Sequence, residues 1–158
     1  MAQAYIGIIV KERNHTERIN RAVWAIHAQK DTRVSAVSRI YKTLPPNDAK
    51  HPFFTAAARI ETDLSAEALY WGLLEVKKTL GQAPENDDCA TALELLTFEG
   101  FEGALANGVI LPQEKLLNRP DILAALLSIY NDANYRKRFR ALDDGSVRVT
   151  GDGLYLPL

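Results

Sequence analysis

The side chains most able to do chemistry crowd into the middle of the chain. Glu94 is a carboxylate set in the largely apolar stretch "ATALELLTFEG" (90–100), and Glu85, Asp87 and Asp88 fill the loop "GQAPENDDCA" (81–90) just ahead of it. Carboxylate oxygens suit hard cations such as magnesium. Residue type alone, however, reads Glu94 as a polar residue of a half-exposed strand and the acidic loop as a solvated connection. His51 has no partner at metal-ligand spacing and reads as a surface histidine. Cys89 has no base near it in sequence and reads as an inert thiol. The one basic cluster, "YRKRFR" (135–140), could suit an anionic partner or a nucleotide, but cations at a helix C-terminus also complement the helix dipole, which is the plainer reading.

These residues need elements to position them. Tyr5 to Val10 is apolar apart from Gly7, the pattern of a strand buried on both faces. Asn14 with Glu17 suggests a capping pair, and Ile19, Ala22, Val23 and Ile26 recur at helical spacing over about Thr16–Gln29. Val34–Lys42 is rich in β-branched and aromatic residues and reads as a strand, followed by the proline-rich loop "TLPPNDAKHP". Phe54–Ile60 alternates as a half-buried strand. Ser65 caps a helix whose stripe is Leu69, Leu73, Val76 and Leu80, ending at Gly81, and Thr91–Glu99 is the next strand. The order β-α-β-β-α-β is that of a ferredoxin-like α+β fold, an antiparallel sheet with helices on one face. A short strand at 109–111, a helix from Pro120 to about Tyr135 and a hairpin in "VRVTGDGLYL" follow it. Trp24 and Trp71 fall within the helices; Trp24 lies off the apolar stripe, which suggests exposure.

Length and composition bound the function. The chain has 158 residues, enough for a single domain over 1–158 without staples, and no repeat or linker divides it. A net charge of −1 argues against bulk nucleic-acid binding, which needs a basic excess. The single cysteine allows no internal disulfide, and no apolar run reaches the roughly 18–20 residues of a membrane span, so a cytoplasmic protein with no membrane partner is expected.

Several segments together resemble one family. "AVSRIYKT", "PP", "FFTAAARIETDLSAEAL", "LLEVKKTLGQ", "LELLTFEG" and "ILPQEKLLNR" run in the order and spacing of 6-hydroxymethyl-7,8-dihydropterin pyrophosphokinase, over about Tyr5–Tyr130. That resemblance implies a ferredoxin-like α+β core and transfer of pyrophosphate from ATP to a pterin's hydroxymethyl group, with magnesium ions bridging the triphosphate. It implies two aspartates at alternate positions of one strand; they match Ala92 and Glu94, so one carboxylate remains, and an active enzyme would need Asp87 or Asp88 from the loop as a replacement ligand. The family's phosphate-gripping arginines match an acidic loop here, which should repel ATP. The family's histidine matches Gln113, and its Gly-Ser-Asn near the first strand's end is replaced by "IVKERN". In the pterin pocket the edge-reading asparagine matches Thr55, one stacking aromatic matches Phe53, and the second falls on Asp121.

The resemblance thus places pterin contacts on Thr43, Leu44, Phe53 and Thr55, nucleotide contacts on Glu75 and Arg119, and any metal on Glu94 with Asp87 or Asp88. The first expectation is a divergent homologue impaired in pyrophosphoryl transfer that binds a pterin-like ligand or a protein partner. The second is an active enzyme, and only then are Mg2+ and ATP its cofactors. The third is a structural module that forms a homo-oligomer.

Overall fold

The computed structural model describes residues 1–11, 14–43, 53–80, 91–113, 119–130 and 148–149. Among them, the central sheet is built from β1 (Ala2–Lys11), β2 (Thr32–Val37), β3 (Tyr41–Thr43), β4 (Phe53–Thr62), β5 (Thr91–Phe98) and β8 (Arg148–Val149). Its order is β5-β1-β4-β3-β8, with β2 pairing the other half of β4, and every pairing is antiparallel. Two short strands, β6 (Gly103–Ala104) and β7 (Ile110–Leu111), form a separate ladder. This is the ferredoxin-like arrangement expected from the sequence.

Side-chain alternation divides the sheet into two faces. On one, Ala4, Ile6, Ile8 and Val10 join Phe54, Ala56, Ala58, Ile60, Leu93 and Leu95 in the main core. Helices α1 (His15–His27) and α2 (Ala66–Thr79) close it with Ile19, Ala22, Val23 and Ile26, and with Ala66, Leu69, Leu73 and Val76. Ser65 caps α2 as expected, its hydroxyl accepting from the Ala68 amide at 3.1 Å. Trp24 and Trp71 are both half exposed on these helices.

The two core helices thus share one face, as expected, and the opposite face is covered by the additional helix α3 (Pro120–Ile129), whose place the sequence had left open. Ile122, Leu123, Leu126, Leu127 and Tyr130 pack there on Tyr5, Ile9 and Leu96. A helix apolar on so broad a face, starting at a proline that fixes the first turn, has the pattern for burial against a sheet. It makes β4 a strand buried on both sides at Thr55 and Ala57, not the half-buried one read from alternation.

Other boundaries shift for local reasons. Asn14 adopts the left-handed conformation, φ 59°, which asparagine tolerates, and makes no side-chain cap; its carbonyl instead accepts the first helical bond, from the Arg18 amide at 3.0 Å. The expected Val34–Lys42 strand is two strands. Ser38 interrupts it by using its hydroxyl to accept from the Ala57 amide while its own amide donates to the Ala57 carbonyl, both at 2.8 Å. α3 is described to Ile129, and residues 131–147, which include "YRKRFR", lie outside the described residues. So do His51 and Cys89. Of the expected hairpin only Arg148–Val149 is described, paired with β3. Among the described residues no helix is long and apolar enough to cross a membrane.

Candidate functional site

The α3 face of the sheet carries Phe53, Thr55, Ala92 and Glu94, and strand register sets their spacing. Ala92, Ile9 and Thr55 stand in one row across β5, β1 and β4. Glu94, Gly7 and Ala57 form the next row in one direction, and Lys11 and Phe53 pair in the other. Positions 92 and 55 are therefore two strands apart, about 10 Å. Ala92 and Glu94 share this face, as the alternation requires.

A buried polar cluster forms where the start of α3 meets β4. Thr55 is fully buried and Asp121 is 1% exposed. The Thr55 hydroxyl donates to Asp121 Oδ2 at 2.6 Å. Arg119, just before α3, forks onto the same carboxylate: Nη2 donates to Oδ2 at 2.8 Å and Nε to Oδ1 at 3.3 Å. A carboxylate in the first turn also faces the positive end of the helix dipole. Phe53, half-buried, lies beside two cations, with the Arg119 guanidinium carbon 5.2 Å and Lys11 Nζ 5.1 Å from its ring centroid. At its other end α3 is tied by Tyr5, whose hydroxyl donates to the Ile129 carbonyl at 3.4 Å and whose ring stacks on Tyr130 at 4.4 Å. Arg59 donates to the same carbonyl at 3.4 Å. The helix is thus pinned at both ends of the face.

Glu94 sits on the edge strand β5 in a mixed setting. Burial raises its pKa above the ordinary glutamate value, and Lys77, a hydrogen bond with Gln113 and Arg119 partly oppose the rise. Gln113 is itself anchored to β5, donating from its amide to the Leu96 carbonyl at 3.0 Å and from Nε2 to the Leu95 carbonyl at 2.7 Å. A nearby divalent cation would favour the charged carboxylate. Yet beside Glu94 stands Ala92, and among the described residues no three His, Cys, Asp or Glu side chains group to hold a metal ion. The described part of the expected metal set is thus Glu94 alone, where a two-magnesium clamp needs several carboxylate oxygens.

The remaining expected residues divide. Thr43 ends β3 opposite Phe53 in register. Leu44, Asp87 and Asp88 lie outside the described residues. Glu75 is exposed on α2, across the sheet from α3, and accepts from Lys78 Nζ at 3.2 Å. Asp121, noted in the sequence only as a missing aromatic, is the centre of the polar cluster. The sequence held one partial signal, that positions 55 and 121 both depart from the family pattern; the structure adds that they touch. At the far end of the same face a cavity of about 490 Å³ is lined by Gln3, Tyr5, Thr97, Phe101, Pro112 and Tyr130, none of which the sequence singled out.

The family model for 7,8-dihydro-6-hydroxymethylpterin-pyrophosphokinase matches residues 5–131. The chain belongs to this family. No curated protein matches it.

Proposed function

We propose that this chain is a pterin-binding member of the pyrophosphokinase family, impaired in pyrophosphoryl transfer. The observation that carries the reading is the asymmetry of one sheet face. Its β4 side keeps an aromatic ring, Phe53, beside a buried hydrogen-bonding group, Asp121, as a planar polar heterocycle requires. Its β5 side offers the carboxylate of Glu94 beside Ala92, whereas a magnesium-bound triphosphate calls for several carboxylate oxygens. A cytosolic location and a folate-related role belong to the same reading.

The test has two arms. Titration of 6-hydroxymethylpterin should give saturable binding that Phe53→Ala weakens by roughly 5- to 150-fold, the worth of one aromatic stack. Incubation with Mg-ATP and hydroxymethyl-dihydropterin should release AMP at the rate of a no-enzyme control. Unchanged affinity in Phe53→Ala would remove the pterin site from this face, and stoichiometric AMP release would make the chain an active pyrophosphokinase.

A further inference from the structure

We propose that Phe53 and Asp121 form a subsite for a planar heterocycle with a guanidine-like edge, and that the Arg119 guanidinium occupies this subsite until such a ligand replaces it. The inference deepens the pterin-binding reading and rests on it for the identity of the ligand.

The geometry of Arg119 is the starting point. Its flat cation lies near the Phe53 ring, 5.2 Å from the centroid, and donates two N–H groups to the two oxygens of Asp121. A flat π-system over an aromatic ring with two parallel donors on a carboxylate is also how a 2-amino-4-oxopyrimidine ring would bind. Its N3–H and 2-amino groups form the same fork of donors, and its face stacks. Pterin and guanine share that edge.

The partners differ in freedom to move. Asp121 is 1% exposed and cannot be satisfied by bulk water, so it needs a donor pair at all times. Arg119 is 35% exposed and can swing into solvent, where a guanidinium keeps its charge. Thr55 remains on Oδ2 at 2.6 Å and fixes the plane of the carboxylate, as a positioning residue. A carboxylate accepts only, so the subsite favours a 2-amino edge over a 2-oxo edge, which would set oxygen against oxygen. An asparagine offers a donor as well and loses that preference. The exchange of guanidinium for ligand makes no net loss of hydrogen bonds to the buried carboxylate, while it releases Arg119 toward the open side of the site.

Calorimetric titration of the wild-type protein with 6-hydroxymethylpterin, 6-hydroxymethyllumazine (its 2-oxo analogue) and guanosine tests this, alongside Asp121→Asn and Arg119→Ala checked for folding by melting. The expected result is at least about tenfold preference for the pterin over the lumazine in the wild type, because the 2-oxo group leaves one oxygen of the buried carboxylate without a donor. In Asp121→Asn that preference should shrink to within about threefold, and Arg119→Ala should bind pterin more tightly, having lost the competing guanidinium. Pterin binding without discrimination in the wild type, needing no variant to fold, overturns the subsite and leaves the pterin reading standing. Weaker binding in Arg119→Ala overturns the occupant role. Binding of guanosine but not pterin sustains the subsite and removes the pterin reading, and binding of neither overturns both.

Discussion

Replacing Thr55 with valine removes one hydroxyl from the buried cluster and adds a methyl of similar size. Asp121 keeps its fork from Arg119 but loses its shortest bond, the 2.6 Å contact with Thr55 Oγ1. Both side chains are almost wholly buried, so water does not fill the gap. A hydrogen bond to a charged group is worth about 1.5–3 kcal/mol. For a chain of this size each kcal/mol shifts the melting midpoint by about 2–4 °C, giving a loss of roughly 3–12 °C. Urea unfolding of the wild type, Thr55→Val, Asp121→Asn and the double variant completes the cycle. If the two side chains are partners, the double variant loses less than the sum of the singles by at least about 0.5 kcal/mol. A Thr55→Val change within about 0.5 kcal/mol of wild type, or strict additivity, would refute the buried pair and with it the positioning of Asp121.

Glu94 gives a pH-dependent signature. Its folded-state pKa is raised by burial, so the native state holds the proton more tightly than the unfolded chain. The stability it contributes is fully present below the unfolded value and is lost as pH rises through the raised folded value, in the window just above the ordinary 4.5. Glu94→Gln should therefore gain stability relative to wild type as pH climbs from 4 toward neutrality, and melting curves with a constant gap across that range would contradict the assignment. On the same strand, Ala92→Asp restores a second carboxylate on the Glu94 face. It should raise magnesium affinity in calorimetric titration by about tenfold or more, at a cost of about 1–3 kcal/mol for a polar group in a half-buried position. No gain in affinity would mean that this face does not present position 92 to a cation.

Much of the fold was legible because the sheet strands and the two core helices carry strong periodicity. The stripe at Ile19, Ala22, Val23 and Ile26 and the cap at Ser65 are local signals, and both are realised. Where local signals failed, backbone conformation or a longer-range contact decided. Asn14 with Glu17 has the composition of a capping pair, but the backbone turns through a left-handed residue and the side chain makes no cap. The interruption at Ser38 comes from its hydroxyl bonding into the ladder of β4, a partner 19 residues away. The placement of α3 on the second face is likewise tertiary, because periodicity shows that a helix has an apolar face but not which surface covers it. The candidate site was legible in part. Phe53, Thr55, Glu94 and Arg119 could be placed by resemblance, whereas the role of Asp121 required knowing that positions 55 and 121 meet. Glu75 shows the limit of such placement, since its described partner is Lys78 on its own helix.

The central claim is that the β4 side of this face, with Phe53 and Asp121, binds a pterin while the β5 side does not serve Mg-ATP. The most direct measurement is the melting midpoint of the purified protein with 6-hydroxymethylpterin, with Mg-ATP, and with both. A ligand that binds only the folded state at 100 times its dissociation constant adds about 2.7 kcal/mol, which for this chain is roughly 5–11 °C. The expected result is such a rise with pterin alone, no rise with Mg-ATP, and no further rise with the two together. A rise with Mg-ATP, or one that needs both ligands, would contradict the account and point to a nucleotide site still in use.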